Sequence, residues 1–257
     1  VSLFADDTKL FTYLLESADE PHKHSTESIQ EDINAVAHWS ERMQMKFNID
    51  KCHSLHLGSN NTKHQYTIPS QSNTVNSNSN NKAYTYTFHN LTQVTEEKDL
   101  GVTVDEKLNF NQHIDEKINK ANQMLGIIRR TFKYMDAAIF NLLYKSLVRP
   151  HVEYASIIWS PHTRKYIDMV ERLQRRATQL VPQIRDLTYE ERLRNLQLPT
   201  LQYRRLRSDL LHIYKLTHNM LELDTDTHCK KCHNGTQMLR RSLRQRHCSG
   251  DNSHHQS

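Results

Sequence analysis

The chain has 257 residues and a mass of 30.4 kDa, enough for one large domain or two modest ones with a buried core. Hydrophobic residues make up 36% of it and its mean hydropathy is -0.79, so part of the length is expected to stay unpacked. Only five Gly are present and no GxxxxGKS/T or GxGxxG pattern occurs, which excludes Gly-rich phosphate loops. Without a leader pattern or a long apolar run, we expect an intracellular protein of the cytoplasm and nucleus that is neither secreted nor membrane-bound.

Positive charge is concentrated in residues 111–220. This region contains 19 Lys plus Arg against 10 Asp plus Glu, a net of +9, whereas the rest of the chain carries 15 against 19. A basic block of this kind suits a polyanion, with nucleic acid as the first candidate, although a solvated helical surface is the alternative. Four scattered cysteines are too few for a disulfide scaffold and indicate a reducing compartment.

The chain opens on a predicted β-hairpin. Apolar residues flank an Asp pair in Phe4-Ala5-Asp6-Asp7, so the hairpin would hold two carboxylates at its tip. Hard cations such as Mg²⁺ take oxygen ligands and leave positions for water and phosphates, so the tip is a candidate metal site. The alternative is that Asp6 and Asp7 are ordinary turn formers.

A helix and a turn follow. The capping-box pair Ser28 and Glu31 predicts the helix start, and apolar residues continue at three-to-four spacing toward Met43. Next come a turn that carries Lys51 and a short strand near Leu55. Without further context, Lys51 is a surface lysine at a turn.

The second part of the β region surrounds a polar insertion. Residues 58–82 are rich in Asn, Ser, Thr and Gln and predict a disordered loop between strands near 66–68 and 84–88. A short strand entered through Gly101 then precedes the helices.

Helices fill residues 111–220. Apolar spacing predicts helices over 113–132, over 139–149 with an end at Pro150, over 164–181 with an end at Pro182, and from Pro199 to about 219. Three aromatic residues in apolar runs are expected in the core: Tyr144, Tyr154 and Trp159. The pattern predicts an all-helical subdomain with basic outer faces.

Several strings in a consistent order resemble the reverse transcriptases of LINE-type (non-LTR) retrotransposons, the endonuclease-reverse transcriptase family. They are Phe4-Ala5-Asp6-Asp7, the Trp39 helix with Asn48-Ile49-Asp50-Lys51-Cys52, Leu100-Gly101-Val102, Leu147-Val148-Arg149-Pro150, Glu153-Tyr154-Ala155, Trp159-Ser160-Pro161, Glu171 to Thr178 and Tyr203 to Asp209. The resemblance covers residues 1–219. It implies an α+β fold: a partial polymerase palm over residues 1–110, with a small antiparallel sheet and one or two helices, and an all-α thumb over 111–220.

The resemblance also implies a chemistry. An RNA-directed DNA polymerase transfers nucleotides with two Mg²⁺ ions, an RNA template, a DNA primer and deoxynucleotides. Asp6 and Asp7 would bind the ions, with Asp6 favoured as the direct ligand, and Lys51 would contact phosphate or protonate pyrophosphate. Thumb residues would contact duplex phosphates without reading bases: Lys117, Lys120, Arg129, Arg130, Arg172, Arg175, Arg176, Arg204 and Arg205.

The chain departs from the family pattern in one respect. The third catalytic Asp lies on an earlier palm strand in this family, and the chain starts after that point, so we expect a fragment that does not polymerise alone. The alternative is a non-catalytic nucleic-acid-binding helical module, a decayed or recruited copy of a transposable element.

The tail over residues 221–257 is polar and expected to be disordered. Cys229, Cys232, His247 and Cys248 invite a zinc site. However, Gln237 stands where a compact knuckle needs His, so zinc is the disfavoured interpretation, and we treat the similarity of Cys-x-x-Cys-His to a haem-attachment string as coincidence.

Overall fold

The computed structural model describes residues 2–4, 7–12, 23–59, 61–74, 83–218 and 220. Short strands occupy the first part and helices the remainder, which is compatible with the expected α+β class. By internal contacts the chain divides into Val1–Leu201 and Gln202–Ser257, so the division does not fall at the predicted boundary of residue 110. The tail from residue 221 onward lies outside the described residues.

Eight short strands form four pairs within the described part of the chain. The strands are β1 Ser2–Phe4, β2 Asp7–Lys9, β3 His53–Leu55, β4 Thr67–Thr74, β5 Ala83–Asn90, β6 Thr92–Val94, β7 Glu96–Asp99 and β8 Val102–Asp105. The pairs β1–β2, β4–β5 and β7–β8 are antiparallel, whereas β3–β6 is parallel. The predicted small antiparallel sheet is therefore replaced by separate two-stranded ribbons.

The polar insertion contains more strand than predicted. β4 runs to Thr74 and pairs residue by residue with β5, so residues 67–74 of the expected loop are extended. Pairing between strands satisfies the backbone N–H and C=O groups whatever the side chains are. The partner of β4 is β5, whose alternating Tyr-Thr-Tyr-Thr-Phe sequence is typical of a strand. Residues 75–82 lie outside the described residues.

A small core joins the first helix to the strands. α1 spans Lys23–Arg42 and buries Ile33 and Ala37 together with Tyr66, Ile68 and Leu91. Since α1 begins five residues before Ser28, the prediction of Ser28 as the N-cap is wrong, and Ser28 is an exposed residue inside the helix.

The larger core lies among the later helices. The helices after the strands are α2 Asn111–Thr131, α3 Ala137–Leu143, α4 Arg149–Glu153, α5 Ser156–Trp159, α6 Arg164–Thr178, α7 Tyr189–Leu196 and α8 Leu201–Thr217. The core contains residues from Val102 to Leu201, and the rest of α8 belongs to the second unit. Five of the six residues predicted for the apolar stripe of α2 are buried: Ile114, Ile118, Ala121, Leu125 and Ile128. The sixth, Phe132, follows the end of α2 and is 40% exposed, so its predicted burial is wrong. Packing of α2 on α4 and α6 places this stripe at the centre of the core.

Pro150 does not end the helical segment as predicted. A π-helical turn, Tyr144–Val148, connects α3 to α4, and Pro150 lies in the first turn of α4. The wider turn lets the N–H of Arg149 donate to the carbonyl of Tyr144, and proline is tolerated at a helix start because its missing N–H has no partner there.

The apolar segment after α4 is only partly buried. Tyr144 and Trp159 lie in the core as predicted, each 1% exposed. Tyr154 is 55% exposed, so the prediction that it is a core residue is wrong. Its hydroxyl donates to the carbonyl of Leu100 at 2.9 Å, which gives the polar end of the ring a partner at the surface.

No helix in the described part of the chain combines the length and the apolar composition that a membrane span needs.

Candidate functional site

The predicted hairpin at the start of the chain is confirmed. Phe4 at the end of β1 pairs with Asp7 at the start of β2. Asp7 is the first residue of β2 and is exposed. Asp6, the favoured metal ligand, lies outside the described residues, so of the predicted pair the structure places Asp7 alone.

An ion pair ties this hairpin to a distant strand. The ammonium group of Lys9 in β2 lies against the carboxylate of Asp99 in β7, 90 residues along the chain. Both side chains are about one-third exposed or more, so the pair contributes less than about 1 kcal/mol to stability. Its value is positional, since it fixes the hairpin beside β7. Neither residue carries a sequence signal for this contact.

Lys51 ends a 3-10 turn over Ile49–Lys51 and is exposed, as expected of a turn lysine. Within the part of the chain that the structure describes, no hydrogen bond or ion pair joins Lys51 to Asp7. The neighbouring Cys52 is half-buried, and burial raises the pKa of its thiol, which makes it a packing residue rather than a reactive thiolate.

The described residues do not fit a two-ion site by themselves. Among them, no group of three or more His, Cys, Asp and Glu side chains could hold a metal ion. Mg²⁺ gives up its waters reluctantly and is usually bound by one or two carboxylates together with substrate phosphates, so Asp7 alone would hold it poorly. The candidate zinc residues Cys229, Cys232, His247 and Cys248 lie outside the described residues.

Most of the predicted nucleic-acid contacts are accessible on α2 and α6. Lys117 is half-buried, and the others on these two helices are exposed: Lys120, Arg129, Arg130, Arg172, Arg175 and Arg176. The two helices pack together, and the guanidinium of Arg176 donates to the side-chain oxygen of Asn122 at 3.3 Å. The structure therefore brings these basic residues onto two neighbouring helices.

Some of these arginines are already engaged. The guanidinium of Arg175 lies 5.0 Å from the ring centroid of Tyr189, a cation–π distance, and Arg130 donates to the carbonyl of Gly126 at 3.3 Å. In α8, Arg204 is half-buried and Arg205 is 6% exposed. The expectation that Arg205 faces a duplex therefore disagrees with its burial.

A buried polar network fixes α6. The hydroxyl of Tyr144 donates to the amide oxygen of Gln174 at 2.7 Å, and the amide nitrogen of Gln174 donates to the carbonyl of Pro199 at 2.9 Å. The same nitrogen reaches the hydroxyl of Tyr189 at 3.2 Å, and that hydroxyl donates to Glu171. Burial, followed by the bond to Glu171, strongly raises the pKa of Tyr189, so the phenol stays protonated and the network serves packing.

Sequence reasoning missed His113, which is 0% exposed at the start of α2. Its Nδ1 accepts the backbone N–H of Thr103 in β8 at 3.1 Å, and its ring lies 5.3 Å from that of Trp159. Burial, assisted by the positive charges of Lys117 and Lys98, lowers the pKa of His113 to about 4. The ring is therefore neutral and joins β8 to the helices. A usable signal was its position two helical turns before Ala121, in the buried row of α2.

A second missed feature closes the loop between β8 and α2. The carboxylate of Asp105 accepts the N–H groups of Lys107, Asn109 and Phe110 at 3.0, 3.2 and 2.6 Å. Burial opposes ionisation of this carboxyl, but the N–H donors outweigh it and the pKa of Asp105 is lowered. This side chain holds the turn that directs α2 out of the β region.

Comparison with known proteins gives one relative of undetermined role. The chain is 27% identical over 126 residues to an uncharacterized protein of Caenorhabditis elegans, a match that covers 48% of this chain and 62% of that protein. The chain therefore spans less than two thirds of this relative's length. No protein-family model matches the chain, and no solved structure matches it.

Proposed function

We propose that the chain is the palm-and-thumb portion of a LINE-type reverse transcriptase, with residues 1–110 as the palm part and 111–220 as the thumb. The observation that carries the proposal is the antiparallel pairing of β1 with β2, whose return strand begins at Asp7. The ordered strings of the family resemblance support the proposal. The ion pair between Lys9 and Asp99 supports it further, because it ties this hairpin to the strands just ahead of the helices.

The proposed role of the helical part is to hold a template-primer duplex by its phosphates. Exposed arginines and lysines on the packed helices α2 and α6 supply the positive charge. Contacts of this type position a duplex without reading its sequence, and they release counterions, so affinity falls steeply with salt.

Mg²⁺ belongs to this proposal through Asp6 and Asp7 in the complete enzyme. Because the described residues do not fit a two-ion site, we assign no catalytic step to them. We expect the 257-residue polypeptide alone to give no primer extension with an RNA template, a DNA primer, Mg²⁺ and nucleotides. Robust synthesis that disappears in Asp6→Ala would contradict this expectation.

Binding to an RNA–DNA hybrid duplex in rising salt tests the thumb. We expect a steep loss of affinity with salt, and a slope about one smaller in Arg172→Gln if this arginine contacts one phosphate. Arg164→Gln is the matched control, because Arg164 on the same helix is paired with Asp168 at 3.4 Å. Affinity that ignores salt would refute phosphate contact.

The second candidate is a nucleic-acid-binding helical module without catalysis. It is favoured by the exposed basic residues on the packed helices α2 and α6, which need no catalytic group to hold phosphates. The coding sequence ahead of the codon for Val1 separates the two candidates. An open frame that encodes fingers and an Asp-bearing palm strand supports the polymerase, whereas unrelated sequence supports the binding module.

A further inference from the structure

Four basic side chains from three elements form a row of neighbours that begins at the buried ring of His113: Lys98 and Lys117 act on that ring, and Lys117 and Lys120 act on His151. Lys98 in β7 is the cross-strand partner of Thr103, whose backbone N–H donates to His113. Lys117 follows His113 by one turn of α2, and Lys120 follows Lys117 by nearly one more. The three lysines therefore extend from the β7–β8 ribbon along one side of α2.

The fourth member is His151 on α4, a helix that packs against α2. Val148 and Val152 on either side of it are buried at 0% and 1% exposure, which turns this side of α4 toward the helical core, while His151 itself is half-buried. Burial, followed by the positive charges of Lys120 and Lys117, lowers the pKa of His151. The free protein therefore disfavours the protonated form of His151.

Acidic groups nearby are mostly occupied elsewhere. Glu153 pairs with Arg149 on α4 itself at 3.4 Å, and Asp99 pairs with Lys9. Glu97 contacts His53 at 2.9 Å. The exposed Glu116 is the acidic side chain of α2 that acts on His113. The π-helical turn packed on α4 adds the exposed Lys145 and no carboxylate.

Lys98, Lys117 and Lys120 take part in no ion pair within the described residues. This distinguishes them from Arg175, which covers the ring of Tyr189, and from Arg176, which is bonded to Asn122. Lys98 and Lys117 act on one ring, and Lys117 and Lys120 act on another. Like charges that share a neighbour in this way repel one another, and a phosphate between them relieves the repulsion. The patch is thus better suited to take an anion than the arginines of α6.

We propose that Lys98, Lys117, Lys120 and His151 form one binding site for consecutive phosphates of a nucleic-acid duplex, and that His151 takes up a proton when the duplex binds. The inference rests on the proposed function only in naming a duplex as the source of the phosphates. The phosphate charge favours the imidazolium form that the two lysines disfavour in the free protein. Affinity therefore increases in acid.

The test measures affinity for a fluorescent RNA–DNA hybrid by anisotropy between about pH 8 and about pH 5.5, a range that spans histidine titration. The full chain is compared with His151→Gln and with the control His162→Gln, since His162 is an exposed histidine after α5. We expect His151→Gln to match the wild type near pH 8 and to bind several-fold more weakly near pH 5.5, up to about tenfold per pH unit for one linked proton. His162→Gln should follow the wild type throughout.

Two further measurements secure the interpretation. Lys117→Gln and Lys120→Gln should each lower the salt slope by about one, whereas the exposed Lys133→Gln should leave it unchanged. NMR titration of the wild-type chain should show the pKa of His151 rising when the hybrid is added, which tests the proposal even if a variant does not fold.

The outcomes separate this inference from the proposed function. Salt-dependent binding with identical pH profiles in wild type and His151→Gln, and no rise in the pKa of His151, would overturn proton uptake and leave the thumb proposal standing. Unchanged salt slopes in both lysine variants would overturn the patch. No binding by the wild type at any pH in low salt would overturn both proposals together.

Discussion

Protonation of His113 should destabilise the folded chain, and Asn at this position should remove that effect. The folded protein buries the ring completely, accepts the N–H of Thr103 on Nδ1 and lowers the pKa to about 4, against 6.5 for an ordinary histidine. The unfolded chain therefore takes up a proton near pH 6.5 and the folded chain only near pH 4. The stability that the neutral His113 ring contributes to the folded chain is complete above pH 6.5 and is lost progressively as the pH falls from 6.5 to 4.

The size of the effect follows from the two pKa values. A difference between 6.5 and about 4 corresponds to about 3 kcal/mol of unfolding free energy over the whole range. Between about pH 7 and about pH 5 the share lost is about 2 kcal/mol. Urea unfolding at these two pH values, followed by far-UV circular dichroism, measures it.

The variant His113→Asn isolates the titration. Asn can offer an acceptor oxygen near the position of Nδ1 but does not titrate. Between the two pH values, the unfolding free energy of the variant should therefore change by about 2 kcal/mol less than that of the wild type. Loss of ring volume lowers its stability equally at both pH values. The exposed His162→Asn is the control and should keep the wild-type pH dependence. Equal pH dependence in His113→Asn and wild type would refute the assignment.

Three further changes test the connections around this site. Gly101→Ala should lower the unfolding free energy by about 1–2 kcal/mol, because φ is +82° there and alanine is strained in that conformation. The added Cβ would lie 3.6 Å from the Tyr154 ring, an ordinary contact that adds no further loss. A thermal melt measures the change, and unchanged stability would contradict backbone strain in the variant. Gln174→Leu should cost about 1–3 kcal/mol by leaving the buried Tyr144 hydroxyl without its acceptor. In urea titrations, Tyr144→Phe should then restore part of that loss, and its failure to do so would count against the network. Asp105→Ala should lower the unfolding free energy by about 1–3 kcal/mol at neutral pH. The difference between wild type and variant should shrink in acid as the carboxyl protonates, and a constant difference down to about pH 2 would contradict the prediction.

Helices with a regular apolar stripe were predictable, and their ends were not. Residues 113–132 match α2 closely because one buried face repeats from His113 to Ile128. The start of α1 was missed because residues 23–28 carry few apolar side chains, so periodicity gives no signal there. At Pro150 the local rule that proline ends a helix failed. The π-helical turn before it places Pro150 in the first turn of α4, where the N–H group that proline lacks would have no partner.

The hairpin of the candidate site was also predictable, because a turn signal between apolar runs is local. Contacts between distant segments were not. Nothing in the spacing of Lys9 and Asp99, 90 residues apart, indicates that they meet. His113 and His151 are polar residues whose burial depends on which helices pack together, and a lone histidine has no periodicity of its own.

The Leu100-Gly101-Val102 stretch connects the two halves of the proposed function. In the sequence it served only as a family marker. In the structure, Lys98 joins the basic patch, Asp99 holds Lys9 of the Asp hairpin, the Leu100 carbonyl accepts the Tyr154 hydroxyl, and Thr103 donates to His113. Asp99, Leu100 and Thr103 thus contact the hairpin, the segment after α4 and α2, respectively. A duplex held by the proposed patch would be positioned relative to the Asp hairpin through this ribbon, because Lys98 of the patch and Asp99, the partner of Lys9, are adjacent residues of β7.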